Sequence, residues 1–469
     1  ADVLARYHRA KGDDTYFLTG TDEHGVKIYE TAKEKGMTSQ ELVDMNAEVF
    51  KSLKGKMNLS NDNFIRTSED RHKAGAKKLW TKLKEKGDIY KDTYKGNYCV
   101  GCEAYILEKD LDENGCCPNH KKKPEVLEEE NYFFKLSKYS AQIKKAIETD
   151  ELKIVPESRK NEMLNLIGDG LNDVSFSRPK DVLPWGIDVP DDEGQVMYVW
   201  GDALSNYITA IGYAEDSELY KKFWPCDAHI IGKDILRFHA GIWIGMLMSA
   251  EIPLPKAIYV HGFITSGGQK MSKSLGNVVD PLEYLKKYGI DAVRWYLTRE
   301  IPTTDDGDFS HGRFLEIHNS ELANGLGNLV NRVVMMTERY LDSKVPEKAE
   351  EDVYEEIKEF FDRYDKAFAN YDMKSACDIV SRVIDFGNKY IDETKPWTMA
   401  KEGNMDGVKV VLYRLLDLLR YIAMLIAPII PDTARKIVDQ IGVEVSDNFD
   451  QIGELKVGGE VKKADPLFP

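Results

Sequence analysis

The chain has 469 residues, enough for two to four domains and beyond the size at which a single hydrophobic core keeps growing. It is 42% hydrophobic and 31% charged with a net charge of −16, which excludes a protein that coats nucleic acid by neutralising phosphates over its whole surface. No run approaches the ~18 apolar residues of a membrane span, and the opening segment lacks a signal-peptide pattern, so a cytoplasmic protein with no membrane partner is expected.

In chain order, residues 1–11 carry apolar positions at helical spacing and predict a helix. Thr15 to Thr19 reads as a strand ended by Gly20, and the polar stretch Thr21-Asp22-Glu23-His24-Gly25 follows it. Two helices are predicted over 38–59 and 69–86. From Tyr90 to about Pro179 the texture changes to short strands and turns, which suggests an insertion. Alternation then resumes with a strand over 195–200, a helix, a strand at His229 to Ile231, a helix after Gly232 and a strand over 257–260. Strands alternating with helices imply a mostly parallel sheet with ligand-binding groups at the carboxyl ends of its strands.

From His311 onward strand signals almost vanish. Long 3.6-residue patterns replace them, as in Val410 to Ala427 with Leu412, Leu415, Leu416, Leu419 and Ala423 on one stripe. The run Tyr421 to Ile430, which contains Pro428, reads as a buried helix end, and 448–469 as a tail extended along the surface. The predicted fold class is therefore α/β: a Rossmann-like parallel-sheet domain (1–89 and 180–260) split by an insertion (90–179), a connecting region (261–320), and an all-α bundle with a tail (321–469).

Four of the six cysteines, Cys99, Cys102, Cys116 and Cys117, fall within twenty positions, too clustered for a disulfide scaffold in a large chain. Cys99-Val100-Gly101-Cys102 and Cys117-Pro118-Asn119-His120 each place two soft ligands on one tight turn, and fourteen residues separate them. That spacing predicts a closed, structural Zn2+ site of Cys99, Cys102, Cys117 and His120, with Cys116 an alternative to Cys117. Cys226 and Cys377 are isolated and read as small buried apolar residues.

Gly267 to Asn277 (GGQKMSKSLGN) puts two lysines and two serines in a glycine-flanked loop, which can set ammonium groups against a polyphosphate. Neither a Walker loop nor GxGxxG is present in the chain. The KMSKS run matches the signature of class I aminoacyl-tRNA synthetases, and TGTDEHG (19–25), TSE (67–69), YVWGDALSNY (198–207), IGKDILRFHAGIW (231–243), DAVRWYL (291–297) and the final PLFP occur in the order of one family. The chain resembles the bacterial type of methionyl-tRNA synthetase over nearly its whole length, with the compact zinc-bearing insertion of that family.

The resemblance implies ATP-dependent attachment of methionine to its tRNA through a methionyl-adenylate, with Mg2+ accompanying ATP. It assigns Asp22 to the ammonium group of methionine, although an Asx turn before the next helix is an equally ordinary use of that residue. Trp200, Ala203, Leu204, Tyr207, Ile235, His239 and Trp243 match the methionine side-chain pocket, and the last three are spaced i, i+4, i+8 as on one helix stripe. Gly232, Asp234 and Ile264 match positions around the adenosine. Lys270, Ser272 and Lys273 match the loop that receives the phosphates, with both lysines neutralising departing pyrophosphate, and Arg178 matches an arginine near the triphosphate. Asn328, Arg332 and Trp397 match the anticodon readers, Trp397 competing with a plain core role after Pro396.

Two departures stand out. The family's His-Ile-Gly-His signature would precede Ala1, so the sequence is expected to be an incomplete record of a longer protein, close to inactive if it ended there. Gly201 stands where a bulky residue is usual, which bears on local packing alone. As given, the chain is expected to be monomeric, and the competing readings are another compact class I synthetase or a tRNA-binding relative without catalysis.

Overall fold

Leu18–Thr21 is a strand running parallel to Asn63–Arg66 in the register Leu18↔Asn63 to Thr21↔Arg66. Gly20 permits that approach, because a Cβ there would lie 2.1 Å from the carbonyl oxygen of Ile65. The computed structural model describes residues 1–99, 104–106, 108, 111–118, 121–168, 170–271, 277–350, 352–445 and 452–468. The chain divides into two units: Leu18–Lys54 with Asn61–Val260, and Ala1–Phe17 with Gly55–Ser60 and His261–Pro469.

The first of these units is α/β. Besides the pair at Leu18 it holds a three-stranded sheet in which Ala257–His261 lies between His229–Gly232 and Lys153–Val155, the last pairing parallel. The strand Ala257–His261 is buried from Ala257 to Val260, as a strand covered on both faces must be. Helices Val26–Glu34, Asp70–Glu85, Ser140–Glu148 and Glu157–Gly168 belong to this unit. An antiparallel sheet is built on Ile89–Cys99 and Glu125–Phe134, with Ala104–Ile106 and Val174–Ser175 at its edges.

The stretch 90–179 thus departs from its sequence texture. It contains two regular helices and a strand of the parallel sheet, because Ile143, Ala146, Ile147 and Ile154 supply a buried face that short strands would not. A second correction concerns 195–200. The strand Asp192–Met197 ends early, and a helix, Val199–Ala203, begins before Trp200. The β-favouring Val, Met, Tyr and Trp run suggested a longer strand, but Gly201 must pack under Phe176 and Asp202 must reach two buried histidines.

The third correction falls on 235–243. Instead of a regular helix stripe, a 3₁₀ turn at Lys233–Ile235 leads into a π-helical segment at Phe238–Trp243. His239 Nδ1–H donates to the carbonyl of Ile235 (3.0 Å) at the start of that segment.

The other unit is predominantly helical, from Asp2–Ala10 and Pro281–Tyr288 through Ile290–Arg299, Asn328–Leu341, Tyr354–Ala369, Met373–Thr394, Met405–Ile426 and Pro431–Ile441. Side-chain caps start several of these: Asp280 accepts from Leu282 N–H ahead of Pro281, Asp372 from Ser375 and Asn404 from Gly407. The predicted stripe Leu412, Leu415, Leu416, Leu419 and Ala423 is fully buried. Arg294 is the polar pin of this unit, donating to Asp2 (2.6 Å) and to the carbonyls of Ile429 (2.7 Å) and Met57 (3.2 Å). Residues 452–468 form no helix or regular strand, and Val461, Leu467 and Phe468 are buried, so this tail packs its apolar side chains instead of lying along the surface as expected.

Candidate active site

The pocket assigned from the sequence is assembled by three segments of the α/β unit: the helices at Val199–Ala203 and Asn206–Thr209, the strand end at His229, and the π-helical segment. Ala203, Leu204, His239 and Trp243 are buried, while Trp200, Tyr207 and Ile235 are half-buried. Tyr207 O–H donates to His239 Nε2 at 2.7 Å, and His239 Nδ1–H donates to Ile235. His239 is thereby a neutral imidazole of fixed tautomer. Burial lowers its pKa to about 4, against the small upward pull of its bond to Ile235.

Two residues absent from the sequence assignment complete this wall. Phe238 stacks on Trp200 with ring centres 4.0 Å apart, and His229 lies 4.0 Å from the Tyr207 ring while accepting Trp243 Nε1–H at 3.1 Å. Burial, and then the neighbouring His239, hold His229 well below the usual imidazole range, so it too is neutral. The Tyr207 hydroxyl is pushed up by burial and keeps its proton. The result is an aromatic pocket with polar edges and no net charge. Such a surface suits a thioether and repels a cationic or anionic side chain. The available signal for His229 was a histidine opening an otherwise apolar strand, His229–Gly232.

At the strand end, Asp22 is exposed and its carboxylate lies 3.4 Å from the backbone N–H of His24. The loop that carries it is held from several sides. The Glu23 carboxylate accepts Thr21 Oγ1–H (2.7 Å), Arg66 Nε–H (2.7 Å) and Ser68 Oγ–H, and the Glu23 carbonyl accepts the Trp185 indole N–H at 2.6 Å. His24 Nδ1 is 2.6 Å from Asp202. Burial acts to lower the His24 pKa, but the charge and hydrogen bond of Asp202 outweigh it and raise it overall. Asp202 shows the converse: burial pushes its carboxyl up, and His24 and His72 bring it down to about 2.

Gly232 and Asp234 follow the strand at His229, Asp234 with its side chain exposed. Arg178 is buried, bonded to Ser175 Oγ (2.8 Å) and the Ser177 carbonyl (2.7 Å), with its guanidinium 5.1 Å from the rings of Tyr98 and Tyr198.

Ile264 and Lys270 belong to the helical unit and sit on a small hairpin, Ile264–Ser266 with Gln269–Lys270. Gly267 and Gly268 make its two-residue turn with φ of 63° and 72°, a left-handed pair that favours glycine. Ile264 and Lys270 are exposed, and Asn277 Nδ2 ties the base of the loop to the Ser266 (3.2 Å) and Lys270 (3.4 Å) carbonyls. Ser272 and Lys273 lie outside the described residues, as do Cys102 and His120. Of the other proposed zinc ligands, Cys99 and Cys117 are buried, and Cys117 heads a tight turn closed by Lys121 N–H to its carbonyl (2.8 Å). Cys116 is half-buried, its sulfur 3.8 Å from the Asn114 carbonyl.

Cys377 is fully buried as expected, whereas Cys226 is half-buried beside His229 (3.7 Å), its thiol pushed up to about 12 by burial. In the helical unit, Asn328 and Arg332 lie one turn apart on one helix, Arg332 paired with Asp392 at 2.6 Å. Trp397 is 36% exposed, which favours a displayed ring over a core role.

The fold and site define a class I aminoacyl-tRNA synthetase, and residues 1–122 and 107–334 match the family model for class I tRNA synthetases (M). Residues 342–469 match that for the anticodon binding domain of methionyl tRNA ligase. Methionine–tRNA ligases from Thermotoga maritima and Clostridium tetani are 42% and 45% identical to the chain, covering all of it and 76% and 74% of their own lengths. Methionyl-tRNA synthetase of Mycobacterium tuberculosis, solved with methionyl-adenylate, is 36% identical with a TM-score of 0.94, covering all of this chain and 94% of its own. The chain belongs to the methionyl-tRNA synthetase family.

Proposed function

We propose that the chain activates methionine with ATP and transfers it to tRNA, with the neutral aromatic pocket around the Tyr207–His239 bond selecting the methionine side chain. That bond is the observation carrying the assignment: it fixes the Tyr207 hydroxyl and an uncharged imidazole where a sulfur must be told from a charged or hydroxylated side chain. Asp22 takes the ammonium group. Gly232 and Asp234 receive the adenosine, Asp234 accepting from the ribose hydroxyls. Lys270 and Lys273, with Ser272, stabilise charge on the departing pyrophosphate, and Arg178 contributes positive potential on the triphosphate side. Methionine carboxylate attacks the α-phosphate, pyrophosphate leaves, and a hydroxyl of the terminal tRNA ribose then attacks the acyl carbon and displaces AMP.

Asn328, Arg332 and Trp397 read the anticodon, the indole as stacking face and the other two toward base edges. The proposed functional division is 1–89 with 180–260 catalytic, 90–179 zinc-bearing, 261–320 carrying the lysine loop and 321–469 binding tRNA, although 1–17 and 55–60 belong to the helical unit. Two buried cysteines, one heading a tight turn, have the donor chemistry of a structural Zn2+ site completed by Cys102 and His120. Mg2+ enters with ATP. A cytoplasmic monomer is the working form.

A charging assay on the protein with its natural termini tests this reading. Lys273→Ala should cut both methionine-dependent pyrophosphate exchange and tRNA charging by about 10²–10³-fold. Trp397→Ala should leave exchange without tRNA intact and lower charging by about tenfold or more, the worth of one stacked base. Wild-type exchange in Lys273→Ala would overturn the assignment of the loop.

A further inference from the structure

Asp202 is fully buried, and both of its carboxylate oxygens are taken by histidines from different elements. Oδ2 is 2.6 Å from His24 Nδ1, and Oδ1 is 2.7 Å from His72 Nε2. Thr209 Oγ1 lies 2.8 Å from His72 Nδ1, so both ring nitrogens of His72 have a hydrogen-bond partner. His24 stands two residues after Asp22 in one loop, and Asp202 stands between Trp200 and Ala203 on the helix that supplies the pocket. A buried carboxylate therefore joins the loop bearing the ammonium-binding group to the helix bearing the side-chain wall. Such a group is expensive to bury unless fully bonded, and bonded this way it rigidifies what it connects.

We propose that Asp202 is a positioning residue for the amino-acid substrate, holding through His24 the distance between Asp22 and the aromatic pocket. The inference rests on the assignment of Asp22 to the methionine ammonium group. Replacing Asp202 frees the loop relative to the pocket and weakens the ammonium contact, while the side-chain wall, built on its own Tyr207–His239 and Trp243–His229 bonds, persists.

The test uses pyrophosphate exchange by the protein with its natural termini, comparing methionine as substrate with 4-(methylthio)butanoate, which lacks the ammonium group, as inhibitor. Asp202→Asn should raise the KM for methionine about tenfold, with the KM for ATP and the inhibition constant of the analogue each within about twofold of wild type. An unchanged methionine KM, or equal losses for methionine and the analogue, would overturn the proposal in favour of a purely structural carboxylate.

Should Asp202→Asn fail to fold, His24→Ala and His24→Asn give the same reading, since the Asn amide nitrogen can stand in for imidazole Nδ1. Ala should raise the methionine KM and Asn should restore it, and equal behaviour of the two would overturn the proposal. Asp22→Asn separates the layers. No rise in methionine KM there removes the ammonium assignment and the proposal with it, whereas a rise there without one in Asp202→Asn removes the proposal alone.

Discussion

Gly201 and Phe176 share one space. A Cβ on Gly201 would lie 2.6 Å from Phe176 Cζ, and that ring is fully buried, stacked on Trp80 with centres 5.5 Å apart. Because the ring has nowhere to retreat, Gly201→Leu should destabilise the protein by about 1–3 kcal/mol in a urea titration, as overpacking does. Trimming the ring with Phe176→Leu in the same chain should recover part of that loss. Equal stability of Gly201→Leu and wild type would mean that the ring is not the obstacle. At this scale the sequence was legible where residues sit inside recognisable runs: Trp200, Tyr207, His239 and Trp243 come together as expected. Asp202 and His72 were not assigned, because their bond spans 130 positions and no local pattern announces it. Phe238 lay within a run already singled out, but nothing in that run marked it as the ring that stacks on Trp200.

The segment 235–243 is the clearest lesson among the elements. The spacing of Ile235, His239 and Trp243 fits an α-helix, yet the segment is π-helical, with His239 Nδ1–H bonded to the Ile235 carbonyl. In the early end of the strand at Met197 and the helices within 90–179, tertiary partners outweighed local preference. The long helix Met405–Ile426 was legible because its apolar stripe persists over its whole length. The cysteine element carries its own prediction. Cys117 is fully buried at the head of a tight turn and Cys116 is not, so the ambiguity between them should resolve toward Cys117. Metal analysis of purified protein should find about one zinc per chain, lost in Cys117→Ser and retained in Cys116→Ser. Retention in the first and loss in the second would exchange their roles.

For the whole molecule, the net charge of −16 is compatible with tRNA recognition because recognition is assigned to a few residues, Asn328, Arg332 and Trp397, and not to a uniformly basic surface. Among the described residues no helix is long and apolar enough to cross a membrane. The change in periodicity near His311 pointed to a helical unit but not to its start at His261 or to its inclusion of the helix Asp2–Ala10, whose contacts to Tyr364 and Phe368 lie far along the chain. The central claim is that an uncharged aromatic pocket makes this ligase specific for methionine. The direct measurement is ATP–pyrophosphate exchange by the protein with its natural termini, with methionine, cysteine and leucine supplied separately at neutral pH. The account predicts exchange with methionine and kcat/KM values at least about a hundredfold lower for the other two, the discrimination available to a shaped pocket. Exchange with cysteine or leucine within tenfold of methionine would contradict it.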